Sequence, residues 1–207
     1  MSAKPIIAAI VLAAGRSTRM GEINKLLADF NGQPMIAQTL AQVQAAGIRQ
    51  ICVVTGHQAE KIEAALDENE VVFAHNGDFR DGLSTSIIAG VRALGSEIDG
   101  VVIMLGDMPL VSGRDINSLV AAFQNNSDIC VPNWQGKRGN PVLWGRDYFA
   151  QLQELTGDMG ARDLLKQFSG RVIEVDMPDD GVLRDFDTAV ELADRDFFFN
   201  AIENKSE

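Results

Sequence analysis

The densest group of chemically useful side chains lies in Ala13-Ala14-Gly15-Arg16-Ser17-Thr18-Arg19-Met20-Gly21, with Lys25 just beyond. Gly15 and Gly21 let the backbone approach a ligand closely and turn N–H groups toward an anion. Arg16, Arg19 and Lys25 set three positive charges against one negative charge, Glu22. That combination suits a bound phosphate. The glycine spacing matches neither a Walker A loop, which ends in Gly-Lys-Ser/Thr, nor the dinucleotide pattern Gly-x-Gly-x-x-Gly. A basic surface turn would use the same residue types, but this segment follows directly on the apolar run Ile6 to Leu12, where an open α/β sheet binds its ligands.

Two carboxylates are candidates for a hard cation such as Mg²⁺. Asp107, in Gly106-Asp107-Met108-Pro109, ends the most apolar run of the chain, Val101 to Leu105. A helix-initiating Asp-x-Pro turn is its plain structural alternative. Asp187 precedes an expected last helix, with simple N-capping as its alternative, and in extended chain it shares a face with Asp185. The polar loop from Asn76 to Ser86 offers Asn76 and Ser84 or Ser86 to a sugar or phosphate, although a plain loop and cap needs only Ser84. His57 and His75 are the only histidines, and neither stands near a nucleophile in a recognisable hydrolase context.

The elements that must position these residues follow from periodicity. Continuous apolar runs at Ile6 to Leu12, Ile51 to Thr55, Val71 to Ala74, Val101 to Leu105 and Ile129 to Pro132 suit strands buried on both faces of a parallel sheet. Between them, Ile36/Leu40/Val43, Ile62/Ala65/Leu66, Ile87/Val91/Leu94 and Ile116/Leu119/Val120/Phe123 repeat with helical spacing. The expectation is an α/β fold of right-handed βαβ units, a mostly parallel central sheet flanked by helices. Beyond residue 130 the rhythm changes. Val131 to Trp134 and Pro141 to Trp144 flank a turn-like segment and predict an antiparallel pair, a small elaboration in the second half. Helices are expected around Asp147 to Leu155, Ala161 to Phe168 and Thr188 to Phe199, with a strand at Val172 to Val175 and a polar tail over 200–207. With no repeat or Pro/Ser-rich linker, residues 1–199 read as one domain.

Composition narrows the functions. A chain of 207 residues with 46% hydrophobic content can bury one substantial core. Its 18 Lys and Arg against 29 Asp and Glu give a net charge of -11, which argues against a general nucleic-acid surface. Cys52 and Cys130 lie singly in apolar runs, reading as buried thiols in a reducing compartment rather than as a zinc site or a disulfide framework. The run Ile6 to Ala14 has the size of a signal-peptide h-region, yet it leads into a Gly-rich, Arg-containing loop and is too short to span a membrane. A cytoplasmic protein without membrane partners is expected.

Taken together, Leu12 to Gly21 with Lys25-Leu26-Leu27, Gly106 to Pro109, Gly139 to Val142, Gly157 to Arg162 and Asp187-Thr188 resemble the molybdenum cofactor nucleotidylyltransferases, most closely the cytidylyltransferase branch. The resemblance runs from about residue 6 to residue 195. It implies a Rossmann-like nucleotidyltransferase fold that takes CTP and Mg²⁺ in its N-terminal half and a pterin in its later segments. On the same basis Leu12, Ala13, Ala14, Gly15 and Arg16 wrap the nucleotide, Arg19 and Lys25 take the phosphates, Asn76 and Ser84 help to hold the nucleotide, and Asp107 and Asp187 bind the metal. Arg19, Lys25 and Asp107 are then catalytic, and Asn140, Pro141, Asp158 and Arg162 face the pterin. Guanylyltransferase relatives usually carry Leu-Ala-Gly-Gly where this chain has Leu12-Ala13-Ala14-Gly15, and the Ala14 methyl would narrow the base site in favour of a pyrimidine.

The chain departs from those relatives at Asn140, where many carry His, and at Met108, where many carry Gln. Asn140 keeps hydrogen-bonding capacity but cannot titrate near neutral pH. The implied reaction is attack of the molybdopterin phosphate on the α-phosphorus of CTP with release of pyrophosphate, yielding a cytosine dinucleotide cofactor that a recipient molybdoenzyme or its chaperone would take up. An attacking oxygen that is already anionic needs alignment and charge neutralisation more than a base, which suits a site rich in Arg, Lys and Asp. Other readings are a molybdopterin guanylyltransferase, a sugar-phosphate or alcohol-phosphate cytidylyltransferase, a non-catalytic carrier of the pterin cofactor, and an α/β scaffold that binds a protein partner.

Overall fold

A computed structural model describes residues 4–16, 24–67, 69–158 and 160–186. The fold is the expected α/β arrangement. Its strands are β1 (Ile7–Leu12), β2 (Asp29–Phe30), β3 (Gln33–Pro34), β4 (Gln50–Thr55), β5 (Val72–His75), β6 (Gly100–Leu105), β7 (Ile129–Trp134), β8 (Lys137–Arg138), β9 (Val142–Gly145) and β10 (Val172–Asp176). The helices are α1 (Met35–Ala45), α2 (Ala59–Ala65), α3 (Leu83–Arg92), α4 (Gly113–Ala122), α5 (Phe149–Gln153) and α6 (Arg162–Gln167). The helix expected over Thr188 to Phe199 lies outside the described residues.

The main sheet runs β10-β7-β9-β6-β1-β4-β5, with β8 paired to β7. β1 pairs in parallel with both β4 and β6, so its backbone is bonded on two sides. Its side chains alternate between two apolar layers, as a pleated strand requires. Ala9 and Val11 pack with Ile36, Leu40 and Val43 of α1 and Ile116 and Leu119 of α4. Ala8, Ile10 and Leu12 pack with Ile87 and Val91 of α3 and Leu152 of α5. Burial on both faces is why the run is apolar throughout rather than alternating.

The second-half elaboration contains the expected antiparallel pair, β7 with β9, which matches Ile129 with Trp144 and Cys130 with Leu143. The tight hairpin joins β7 to the two-residue β8, matching Asn133 with Arg138 and Trp134 with Lys137 across Gln135 and Gly136, both at positive φ. Beyond that expectation, β9 also pairs with β6, so it enters the main sheet between β6 and β7 and runs antiparallel to both. A smaller two-stranded sheet, β2 with β3, turns at Asn31-Gly32 with φ of 57° and 85°. The Asn-Gly pair is the sequence signal for this hairpin, which the apolar periodicity does not reveal.

Cys52 and Cys130 are buried free thiols, and burial pushes them up to about 11 and about 12. Both stay protonated at neutral and mildly alkaline pH, and the thiolate is the reactive form. A disulfide reagent at pH 8 is expected to label neither thiol in the native protein and both after denaturation; rapid labelling of native protein would contradict this burial.

Gly90 of α3 faces the sheet where a Cβ would stand 2.6 Å from Ile10 Cγ2 and 3.1 Å from Val54 Cγ2. Alanine's helix propensity favours the substitution by about 1 kcal/mol, whereas overlap with β-branched core residues opposes it by about 1–3 kcal/mol. Gly90→Ala is expected to be net destabilising in urea unfolding. An unchanged or raised midpoint would show that α3 can move off β1 at little cost.

Candidate active site

The chain proceeds from β1 to β4 to β5 in one direction across the sheet and then crosses back to β6 on the other side of β1. Strand order therefore reverses between β1 and β6, which opens a crevice at their carboxyl ends. A cavity of about 520 Å³ lies there. Leu12, Ala14, Gly15 and Arg16 line it from the end of β1, and Leu105 and Asp107 from the end of β6. Lys25 and Leu26 close one side, Phe79, Arg80, Gly82, Leu83 and Ser86 form the wall beyond β5, and Asp158 adds a second carboxylate.

Lys25 starts a short 3-10 turn, Lys25–Leu27, capped by the Asn24 side chain, which accepts from the Leu26 N–H at 3.1 Å. Leu26 is buried in the core beneath it, so the turn is anchored and the lysine is directed at β6. Lys25 Nζ lies 2.5 Å from Asp107 Oδ2. Asp107 is only 8% exposed, and its Oδ1 is buried with no hydrogen-bond partner among the described residues. Burial pushes the Asp107 carboxyl above its ordinary range; Lys25 opposes that shift, and the charge of Asp185 adds to it. The Asp185 effect follows from the path of the chain, because the Phe186 N–H donates to the Asp107 carbonyl at 3.2 Å. Phe186 also packs edge-on against Phe30, with ring centroids 5.4 Å apart.

Two expected site residues, Arg19 and Asp187, lie outside the described residues. Leu12, Ala14, Gly15, Arg16, Lys25, Asp107 and Asp158 meet at the cavity, while Ala13 is fully buried just behind its wall. Asn76 and Ser84 do not line it. The Asn76 amide donates to the hydroxyls of Thr85 at 2.9 Å and Ser86 at 3.0 Å, and its oxygen accepts from the Asp78 N–H at 3.0 Å. It therefore braces the turn from which Phe79 and Arg80 face the cavity. Ser84 is 1% exposed at the start of α3. Asn140 sits two residues before the Val142–Ile103 pair, near the open end of β6, and its N–H donates to Val182 O at 2.9 Å. Pro141 is buried behind a cis Asn140–Pro141 bond, and Arg162 is exposed at the first turn of α6; none of these three borders the cavity.

Phe79, Arg80 and Asp185 join the site without having been expected there from the sequence. An aromatic–arginine pair inside a polar loop after a short strand was the available signal for the first two; the proximity of Asp185 depends on a contact between distant segments. In chemical terms, the cavity combines cations from several elements with a buried, half-satisfied carboxylate. Such a site can hold a polyanion and neutralise charge that develops on it.

Among the described residues, no helix is long and apolar enough to cross a membrane. In comparison with solved structures, the fold superposes on a nucleotidyl transferase from Methanothermobacter thermautotrophicus with a TM-score of 0.83 and 27% identity, covering 95% of this chain and 99% of that one. Rv0371c from Mycobacterium tuberculosis H37Rv gives a TM-score of 0.77 at 27% identity, covering 92% and 97% of the two chains. Among curated relatives, a probable molybdenum cofactor guanylyltransferase of Thermococcus sibiricus is 34% identical over 70% of this chain and 71% of its own. The bifunctional protein GlmU of Desulfotalea psychrophila is 28% identical over 68% of this chain, which spans only 41% of that relative's length. Residues 9–195, from β1 through every described segment that lines the cavity, match the MobA-like NTP transferase domain, and the chain belongs to that family.

Proposed function

We propose that the chain is a nucleotidyltransferase that transfers CMP from CTP to the phosphate of molybdopterin or its molybdenum form and releases pyrophosphate. The observation that carries this reading is the Lys25–Asp107 pair in the β1/β6 crevice, where one carboxylate oxygen meets an ammonium and the other is buried without a partner. The uncommitted Oδ1 fits a hard divalent cation, Mg²⁺ in this reading, and Asp187 would supply a second ligand. A manganese complex of Rv0371c, at 27% identity and a TM-score of 0.67, supports a cation in this fold. When bound, the ion would supply charge neutralisation to phosphate oxygens.

The chain's own residues do the rest. Gly15 leaves the end of β1 open to a close-lying phosphate, and Arg16 and Lys25 draw charge toward the departing pyrophosphate. An acceptor phosphate oxygen forms the new bond to the α-phosphorus as the bond from that phosphorus to the bridging oxygen breaks. That oxygen is anionic near neutral pH, so no proton has to be removed and no histidine is needed. Asn140, Pro141 and Arg162 are the acceptor-side groups in this reading, while Asp158, fitted against Gly82, stands at the wall that carries Phe79 and Arg80.

CTP is preferred here because Ala14 borders the cavity. The methyl of Ala14 lies against Gly56, so close that a Cβ on Gly56 would stand 2.8 Å from it. The named Thermococcus relative favours GTP as a second reading. Ala14→Gly should raise GTP use relative to CTP by about 1–3 kcal/mol in transition-state discrimination. Competition between the two nucleotides measures this directly, and an unchanged ratio of kcat/KM values places the selecting contacts elsewhere.

Incubation with Mg²⁺, molybdopterin and each nucleoside triphosphate, following pyrophosphate, tests the reaction itself. Turnover with CTP is expected, and turnover only with a sugar phosphate as acceptor would refute the pterin assignment. Asp107→Asn keeps the side-chain shape and removes its charge. Loss of a catalytic ion's ligand costs several kcal/mol, more than about a hundredfold in kcat, and near-normal turnover at limiting Mg²⁺ would remove Asp107 from the metal site.

A further inference from the structure

Arg80 lines the cavity, yet neither the phosphate chemistry nor the metal uses it. Its guanidinium carbon stands 5.2 Å from the centroid of the Phe79 ring, an arrangement that holds the planar fork against an aromatic face. Among the described residues nothing accepts a hydrogen bond from that guanidinium, although Asp78 and Asp81 flank it closely in sequence. The turn beneath is firmly built. Asp81 N–H donates to Asp78 O at 2.9 Å, and the Thr85 hydroxyl lies 3.0 Å from Asp78 O and 2.8 Å from Gly82 O.

Position along the sheet indicates which part of a ligand Arg80 would meet. Asp107 follows β6, Arg16 follows β1, and Arg80 follows β5, in the strand order β6-β1-β4-β5. Three strand spacings separate the ends of β6 and β5, about 14 Å. With the reacting phosphates held at Lys25 and Asp107, a nucleotide laid across the strand ends brings its base, not its phosphate chain, to β5. The flat Phe79–Arg80 pair is suited to a flat heterocycle.

We infer that Arg80, backed by Phe79, selects the nucleobase by donating two parallel N–H bonds to adjacent acceptors on one base edge. Cytosine presents O2 beside N3, and guanine presents O6 beside N7. Uracil places an N–H donor between its two carbonyls. Adenine places an amino donor beside N7 and beside N1. The fork therefore accepts cytosine or guanine and rejects uracil and adenine, which leaves the choice between the first two to Ala14 and its surroundings. The inference rests on the nucleotidyl-transfer reading.

Equilibrium binding of CTP, GTP, UTP and ATP, each with Mg²⁺ and without acceptor, tests it on the full chain as wild type, Arg80→Ala and Arg80→Lys. Arg80 is exposed, so neither substitution disturbs the core. Wild type should bind CTP, GTP or both about tenfold or more tighter than UTP and ATP. Both variants should bring the favoured nucleotides down to the level of the other two and leave those two unchanged, because lysine keeps the charge but loses the fork. Weakening of all four by Arg80→Ala, with recovery in Arg80→Lys, would show a phosphate contact and overturn the inference. Tight binding with unaltered ratios would also overturn it and leave nucleotidyl transfer standing, whereas wild type that binds none of the four removes both.

Discussion

Burial of β1 on both faces is the constraint from which the rest of the structure follows. A strand paired on both edges and covered by α1 and α4 on one side and α3 and α5 on the other has no exposed surface except at its ends. Polar chemistry is thereby forced to the carboxyl edge, where the chain leaves Leu12 and the backbone ceases to be fully paired. The reversal of strand order between β1 and β6 then separates the emerging segments on that edge, and the cavity occupies the gap. The strands supply placement and the two terminal leucines, Leu12 and Leu105, while the charged side chains of the cavity come from the segments between elements or their ends.

Electrostatics at the crevice is a balance among three groups. Desolvation disfavours ionised Asp107 and dominates, Lys25 opposes it, and Asp185 adds to it. A carboxylate held in this way is charged at a cost, and the same cost makes it receptive to a cation of higher charge density than an ammonium. Lys25 thus balances Asp107 in the structure as it stands, with an ammonium on one carboxylate oxygen and no partner on the other among the described residues.

Much of this was legible in the sequence, because the information was local. The runs at Ile6, Ile51, Val101 and Ile129 became strands β1, β4, β6 and β7 with ends shifted by a residue or two, and the helical repeats became α1 to α4. The loop from Ala13 and the residue Asp107 met at one cavity for the same reason: both directly follow parallel strands. What was not legible depends on partners. Pro141 to Trp144 reads correctly as the antiparallel partner of β7, but nothing in it says that β9 also pairs with β6 and so joins the main sheet. Asn76 reads equally well as a ligand group or as a brace, and only the positions of Thr85 and Ser86 show the bonds it makes. Asp185 comes near Asp107 because Phe186 packs on Phe30, a contact across more than 150 residues of chain.

Gly82 joins two parts of the cavity that a sequence would treat as separate. At φ of 110° it enters α3, and the place where its Cβ would project is filled by the Gly157 backbone, 2.7 Å away, and by Asp158 Oδ1 at 2.6 Å. The Ser84 N–H completes the joint by donating to Gly157 O at 3.2 Å. The wall that carries Phe79 and Arg80 and the loop that carries Asp158 are thus fitted surfaces of one hinge-like seam. A loop grafted around Gly157 without its matching turn at Gly82 would bring a mismatched backbone into a space already full, so the two segments have to be exchanged together although about 75 residues lie between them.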